Sequence, residues 1–488
     1  MSVNEQIKEF DTDVAVIGSG PGGYVCAIRL GQLGKSVALI EKDKVGGVCL
    51  NVGCIPSKAL ITAGKLAKNA RNAGRMGINA QVTIDIGKLQ EWKQSVVDRL
   101  TGGVALLCKA NKVQIVRGDA KIESADTVSV RDPQSGSEKS RIRCKDIVIA
   151  TGSSSIELPN LKQDGKRIIT STEALSLTTP PRRMLIVGGG VIGLEIGMAY
   201  ANLFGTELVI VELLDQLLPG VDLDLVNLLT RNLQKMNAKI NLKSRVKSAS
   251  ALEEGVDVVF ETSDGKEQKE KVDYVLVSVG RKPNSKGLGL ENVGVKLSEK
   301  GFILVDKQMK TNVPHVYSIG DVAGMPLLAH KASRQGIVAA EVICGMKSSF
   351  DNVAIPSAIF TDPEISLVGL SPNDAKNQGI ETVTGRFPFS VNGRALASAE
   401  FDGFVKTIAD KNSGLILGVE IVGGDASDLI GEAGLALEMG ATLEDIALTI
   451  HTHPTLPEAL MESSENALGK AIHIQNVTRK TTQPSSGQ

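Results

Sequence analysis

The sequence predicts an α/β chain of two doubly wound parallel-sheet units followed by a C-terminal α+β domain, and three observations carry that prediction. A G-x-G-x-x-G pattern occurs twice, each time after an apolar strand and before a helix. The chain has 488 residues with 51 glycines, 42% hydrophobic and 3% aromatic residues, which suits several glycine-rich α/β domains better than a β-sandwich. The stretch from Ala354 to about Gln475 alternates strand-like and helical segments without a glycine fingerprint.

Charge excludes some partners. Lys and Arg total 54 against 55 Asp and Glu, so no overall field points to nucleic acid or an anionic membrane. The first residues are polar and lead straight into an apolar strand, unlike a secretory signal, and no apolar stretch is expected to span a bilayer. The expectation is a cytoplasmic protein. Of the six cysteines, Cys26, Cys108, Cys144 and Cys344 are scattered and expected to be mostly small buried apolar residues.

In the first unit, a buried strand Asp13–Ile17 leads into Gly18, Gly20 and Gly23 and a helix from Tyr24 to Leu33. Glycine lets the backbone turn sharply and approach a pyrophosphate, which then rests on the N–H groups and positive dipole of the helix N-terminus. The next strand, Val37–Ile40, ends at Glu41, where a carboxylate can accept from ribose hydroxyls. The second unit repeats this as Met184–Val187, then Gly188, Gly190 and Gly193, a helix Leu194–Leu203, and Leu208–Val211 ending on Glu212. Two fingerprints predict two dinucleotide sites, and hydride transfer from one nucleotide to the other. A carboxylate at Glu212 repels a 2′-phosphate, and no Arg replaces it, which points to NAD rather than NADP. Further strands end at glycine turns: Asp146–Ile149 before Thr151 and Gly152, Tyr274–Val279 before Gly280, and Val316–Ile319 before Gly320 and Asp321.

Cys49 and Cys54 follow Glu41 closely, which places two thiols beside the first nucleotide. In a regular helix, residues five apart are separated by about 7.5 Å of rise, beyond the ~7 Å that a disulfide spans. The Asn51–Gly53 interruption must therefore distort the turn for the pair to close, and a strained disulfide is easily reduced. A zinc site would need two more soft ligands, and the sequence offers none nearby.

With these residues the chain closely resembles the dihydrolipoamide dehydrogenase (E3) family of the class I pyridine nucleotide–disulfide oxidoreductases, over about residues 10 to 475. The motifs are the Cys49–Lys58 block, both glycine loops, Ala150 to Gly152, Gly320 with Asp321, and His451 to Glu458. The resemblance implies FAD as the first nucleotide, with Asp321 on its ribityl chain and Lys58 paired with Glu195 near the flavin. It also implies backbone contacts from Ala120 and Ala329 to FAD and from Val246 and Gly280 to NAD. The domains are then FAD-binding (1–155), NAD-binding (156–282), central (283–353) and a dimer-forming interface (354–475), with a disordered tail (476–488). Glutathione and trypanothione reductases usually carry basic phosphate readers where Glu212 stands, and some relatives add a C-terminal cysteine pair that this tail lacks. Val191 stands where many disulfide reductases have a Tyr. No lipoyl domain is present at the N-terminus, so the dihydrolipoyl groups are expected on separate proteins of a 2-oxo acid dehydrogenase complex or of glycine cleavage.

A dithiol must be deprotonated to attack, and histidine is the natural base near neutral pH. His453 precedes Glu458, which can orient its ring, but Thr455 and Glu458 also fit a helix capping box in which Glu458 is purely structural. The residues alone leave these readings level; the resemblance favours catalysis by Cys49, Cys54, His453 and Glu458. The alternatives are an NADPH-dependent reductase of another small disulfide and a non-catalytic docking subunit.

Overall fold

A computed structural model describes residues 7–476, so residues 477–488 of the expected tail lie outside the described residues. Along the chain come β1 (Lys8–Ile17), α1 (Pro21–Gln32), β2 (Val37–Glu41), α2 (Gly47–Val52), α3 (Cys54–Arg71) and the long α4 (Ile86–Ala110). The strands β3 (Val113–Arg117), β4 (Asp119–Ser124), β5 (Thr127–Arg131), β6 (Glu138–Ile149) and β7 (Ser153–Ser155) follow. The first sheet runs β3-β2-β1-β6-β5-β4. In β1, Val14 and Val16 enter the core that contains Cys26 and Leu30 of α1, while Ala15 and Ile17 enter the core on the opposite face. A parallel strand buried on both faces reads as a continuous apolar run, which is why this one is plain in the sequence. Helix α1 starts earlier than Tyr24 because Gly20 caps it and Pro21 occupies the first turn, where no N–H is needed.

The second unit contains β8 (Ile168–Ile169), α5 (Ser171–Ala174), β9 (Arg183–Val187), α6 (Val191–Phe204), β10 (Glu207–Val211), α7 (Leu223–Lys235) and β11 (Lys239–Asn241). An antiparallel insert of β12 (Arg245–Leu252), β13 (Gly255–Glu261) and β14 (Glu267–Val272) precedes β15 (Tyr274–Val277) and β16 (Arg281–Pro283). Its sheet order is β11-β10-β9-β15-β8. The chain returns through α8 (Leu290–Val293) to β17 (Val316–Ser318), which pairs with β6, and to α9 (Ala329–Ile343).

The C-terminal part comprises β18 (Ser357–Ile359), β19 (Glu364–Gly369), α10 (Pro372–Asn377), β20 (Thr382–Pro388), α11 (Gly393–Ser398), β21 (Phe404–Asp410), β22 (Ile416–Gly423), α12 (Ala426–Glu438), α13 (Leu443–Leu448) and α14 (Glu458–Leu468). Its antiparallel sheet runs β18-β19-β22-β21-β20. A Cβ at Gly385 of β20 would stand 1.8 Å from the Ser463 carbonyl oxygen, so only glycine lets α14 lie this close to the strand. The chain divides into two compact units, one running to Leu213 together with Ile240–Asp351, the other holding Leu214–Lys239 with the chain from Asn352 onward. Helix α7, expected within the second nucleotide domain, thus belongs by its contacts with the C-terminal sheet. Part of the tie is electrostatic: buried Lys406 of β21 pairs with Asp222 and Asp224, each at 3.0 Å, and with its cross-strand neighbour Glu420 at 2.5 Å.

One helical stretch among the described residues, Gly47–Arg71, is long and apolar enough by length and composition to cross a membrane, contrary to the expectation of none. It is broken at Gly53, carries both Cys49 and Cys54, and packs its α3 portion on α6.

Candidate active site: two nucleotide loops, a thiol pair and a histidine–glutamate pair

The two glycine loops fold alike. Gly18 and Gly188 hold φ of +97° and +99°, and a Cβ on either would press within 3 Å of the carbonyl oxygen of Ala150 or Ser278 on the neighbouring strand end. Gly23 and Gly193 pack tightly beneath their turns, whereas Gly20 and Gly190 face open space with nothing within 4 Å of a Cβ. That combination leaves room for a pyrophosphate at the N-termini of α1 and α6. Both acids close their loop from behind. Glu41 Oε2 accepts from Ser19 N at 2.9 Å and Ser19 Oγ at 2.6 Å, and Glu212 Oε2 accepts from Gly189 N at 2.5 Å. Both carboxylates are buried, so each has a structural duty that the sequence reading did not include.

Around the first loop, Thr151 Oγ1 donates to the Asn284 carbonyl at 2.7 Å, Asn284 Nδ2 returns a bond to the Thr151 carbonyl at 2.9 Å, and Asn284 N donates to Gly152 O. Asp321 accepts from Ser153 Oγ at 2.6 Å. Ala120 lies in β4 and Ala329 opens α9. Val246 is buried in β12, and its carbonyl accepts from Asn160; Gly280 precedes β16, and its carbonyl accepts from Ile156 N. Among residues the sequence did not single out, Lys331 of α9 is buried, and burial pushes its ammonium down to about 8 against the opposing pull of Asp321.

The thiols straddle the α2–α3 break. Gly53 sits between the helices, where a Cβ would lie 2.9 Å from Val48 O. The break brings the two sulfurs into a hydrogen bond; both are free thiols, so the structure has the dithiol form of the pair. The Cys49 thiol, by donating to it, draws the Cys54 thiol down to about 7; burial opposes this and the Lys58 ammonium assists. The same bond, reinforced by burial, raises the Cys49 thiol. Lys58, one turn on, reaches buried Glu195 of α6 at 2.9 Å. Of the other cysteines, Cys26, Cys108 and Cys144 are buried and Cys344 is partly exposed.

In the other unit, His453 Nδ1 meets Glu458 Oε1 at 2.8 Å, while Glu458 Oε2 accepts from Thr455 N at 2.7 Å. The capping box expected from the sequence does not form, because α14 begins at Glu458 with Pro457 as its N-cap; the same carboxylate instead orients the ring and holds the Thr455 N–H of the preceding turn. Burial would raise Glu458, but the Thr455 N–H and His453 more than offset it and hold it below the ordinary carboxylate range. The His453 side chain is 79% exposed. His451 is engaged instead with Glu432 at 2.7 Å and the Thr449 carbonyl at 2.9 Å.

Comparison with known proteins shows the family. The model of the pyridine nucleotide-disulphide oxidoreductase family matches residues 12–336, and that of its dimerisation domain matches residues 355–464. Dihydrolipoyl dehydrogenase of Bacillus subtilis is 50% identical over 95% of this chain and 98% of its own length. The Geobacillus stearothermophilus protein of the same name is 49% identical over 95% of this chain and 98% of its length, and the Haloferax volcanii one 46% identical over the same shares. Among solved structures, LpdA of Mycobacterium tuberculosis superposes with a TM-score of 0.86 at 26% identity, covering 94% of this chain and 99% of that one. The HOCl-induced flavoprotein disulfide reductase RclA of Escherichia coli, as a Cu(II) complex, gives 0.83 at 26% identity over 93% of this chain and 99% of its own. The chain belongs to the pyridine nucleotide–disulphide oxidoreductases and, within them, to the dihydrolipoyl dehydrogenases.

Proposed function

We propose that Cys49, Cys54, His453 and Glu458 carry the dihydrolipoyl oxidation of this FAD- and NAD-dependent enzyme. The observation that supports it most is the polarised thiol pair at the head of α3, with Cys49 donating to a Cys54 sulfur that ionises near neutral pH. In the oxidised state the pair is a disulfide. His453 Nε2 takes the proton of a dihydrolipoyl thiol while Glu458 holds Nδ1. The substrate thiolate then attacks Cys49 Sγ, a mixed disulfide forms, and Cys54 leaves as a thiolate. The second substrate thiol gives up its proton to the departing Cys49 sulfur as it displaces it, closing the lipoyl disulfide; the two electrons stay on the pair as a Cys49 thiol and a Cys54 thiolate. FAD, when bound, would supply the two-electron chemistry linking the Cys54 thiolate to hydride transfer to NAD.

Gly18, Gly20, Gly23 and Glu41 would hold the FAD pyrophosphate and ribose, with Thr151, Gly152, Asp321, Ala120 and Ala329 along the rest of it. Gly188, Gly190, Gly193, Glu212, Val246 and Gly280 would hold NAD, and Lys58 with Glu195 would stand near the flavin. The thiols and the base lie in different compact units, and a two-fold homodimer in which His453 faces the partner's thiols would complete each site. The lipoyl groups would arrive on lipoyl-domain proteins of a 2-oxo acid dehydrogenase complex or of glycine cleavage, in the cytoplasm. Purified protein assayed with dihydrolipoamide should reduce NAD and hardly reduce NADP. Turnover of NADPH with another small disulfide, and none with dihydrolipoamide, would overturn the assignment.

A further inference from the structure

Strands β7 and β16 form a two-stranded antiparallel ladder at the chain crossings between the two nucleotide-binding units. Its register pairs Arg281 with Ser155 and Pro283 with Ser153. Arg281 and Ser153 are therefore diagonal neighbours on one face, within reach of a long side chain. The flanking main-chain bonds, Ile156 N to Gly280 O and Asn284 N to Gly152 O, leave the Ser153 carbonyl without a strand donor. Arg281 supplies one: Nη2 donates to Ser153 O at 2.5 Å and Nε donates to Ser153 Oγ at 2.7 Å. Ser153, buried, has one hydroxyl proton, and its Oγ stands 2.6 Å from Asp321 Oδ2.

The direction of this chain of bonds is dictated by chemistry. A guanidinium only donates and a carboxylate only accepts, so the hydroxyl must take from Arg281 and give to Asp321. Bonds aligned in this way polarise one another inside a protein. Burial presses the Arg281 guanidinium below its ordinary range while Asp321, and behind it Cys54, pull it back, which agrees with a cation facing that carboxylate. Ser153 occupies Oδ2, so Oδ1 is the oxygen left to face a ligand.

We propose that Ser153 and Arg281 are positioning residues for FAD: the relay Arg281–Ser153–Asp321 aims the Asp321 carboxylate at a flavin-side hydroxyl and anchors it to the crossover strand. This rests on the reading that Asp321 holds FAD. In this relay Arg281 acts through Ser153, so its loss and that of Ser153 act by the same route.

The test is FAD affinity, measured by fluorescence when purified apoprotein is reconstituted with FAD. Asp321→Asn, Ser153→Ala and Arg281→Met should each weaken binding by roughly tenfold or more, as expected for a hydrogen bond to a charged group. Ser153→Thr, which keeps the hydroxyl, should bind near the wild-type affinity, and Arg281→Lys, which can serve only one of the two acceptors, should fall between. Ser153→Ala added to Asp321→Asn should weaken binding little further, a coupling that a purely structural serine would not produce. Weak binding by Asp321→Asn with wild-type affinity in both Ser153→Ala and Arg281→Met would overturn the relay alone. Wild-type affinity in Asp321→Asn would remove the reading of Asp321 and the relay with it.

Discussion

Glu41 closes its strand and Glu212 follows the equivalent one; each bonds the second residue of its own glycine loop and so shapes the cradle in addition to the ribose contact proposed for it. Glu212→Ala would confound the two duties, since it also strips Gly189 N of its acceptor. Glu212→Gln keeps an oxygen for that N–H and removes only the charge. It should reduce the preference for NAD over NADP by about 1–3 kcal/mol, roughly 5- to 150-fold in the ratio of kcat/KM values, with little change in thermal stability. An unchanged ratio would take this residue out of the specificity argument. The sulfurs make a second residue-level forecast. With Cys54 as the thiol that ionises near pH 7, the two-electron-reduced holoenzyme should show a long-wavelength thiolate-to-flavin band that grows as pH rises through about 7 and fades below it. Cys54→Ser should lack the band, whereas Cys49→Ser, with no disulfide to take up electrons, should show it without reduction, while its flavin is still oxidised; neither variant should turn over. A band surviving in Cys54→Ser would reverse the roles of the two cysteines.

Helix α7 shows how an element is claimed by chemistry rather than by chain order. Lys406 in β21 is buried beside the half-buried Asp222 and Asp224 at the start of α7 and the buried Glu420 in β22, so removing the lysine leaves the Glu420 carboxylate buried without its cation. Burial lifts Glu420 from 4.5 to about 7, only partly countered by Lys406, and Asp222 and Asp224 push the same way as burial. The folded chain thus holds this proton more tightly than the unfolded chain. Its stabilising effect is complete below pH 4.5 and is lost as pH rises to about 7. Glu420→Gln should therefore flatten the fall in Tm across that window, whereas Lys406→Met should cost about 3–5 kcal/mol at pH 8 and less at pH 5. Parallel Tm profiles for Glu420→Gln and wild type would show that Glu420 does not titrate there. Gly53 makes the complementary point for α2 and α3: a single residue with no room for a Cβ converts one long helix into two and lets sulfurs five residues apart meet.

For the assembled enzyme, the thiols lie in one compact unit and His453 with Glu458 in the other, which a dimerisation-domain match covers. If the base of each site comes from the partner subunit, Cys49→Ser and His453→Gln homodimers should both be nearly inactive. Unfolding and co-refolding them should give heterodimers with one native site. With random exchange and independent sites, activity should return to about a quarter of wild type, because half the dimers are mixed and each has one good site of two. Two affinity tags would verify the heterodimers. Verified heterodimers as inactive as their parents would put His453 in its own chain's site.

Sequence alone carried the parts of this protein that short-range rules dictate. Both glycine loops, the strands before them and the acids after them lie within about 30 residues of one another, where turn geometry and the burial of parallel strands leave few alternatives. The thiol pair and the His453–Glu458 spacing were legible for the same reason. What tertiary structure decided was pairing over long range: α7 joining the C-terminal sheet through Lys406, Glu458 serving ring and backbone at once, and Ser153 bonded to Asp321 across 168 residues of chain. No periodicity announces such bonds, because a buried donor is satisfied by whichever acceptor the packed elements bring within about 3 Å, and that choice is made only when the sheets and crossovers are in place.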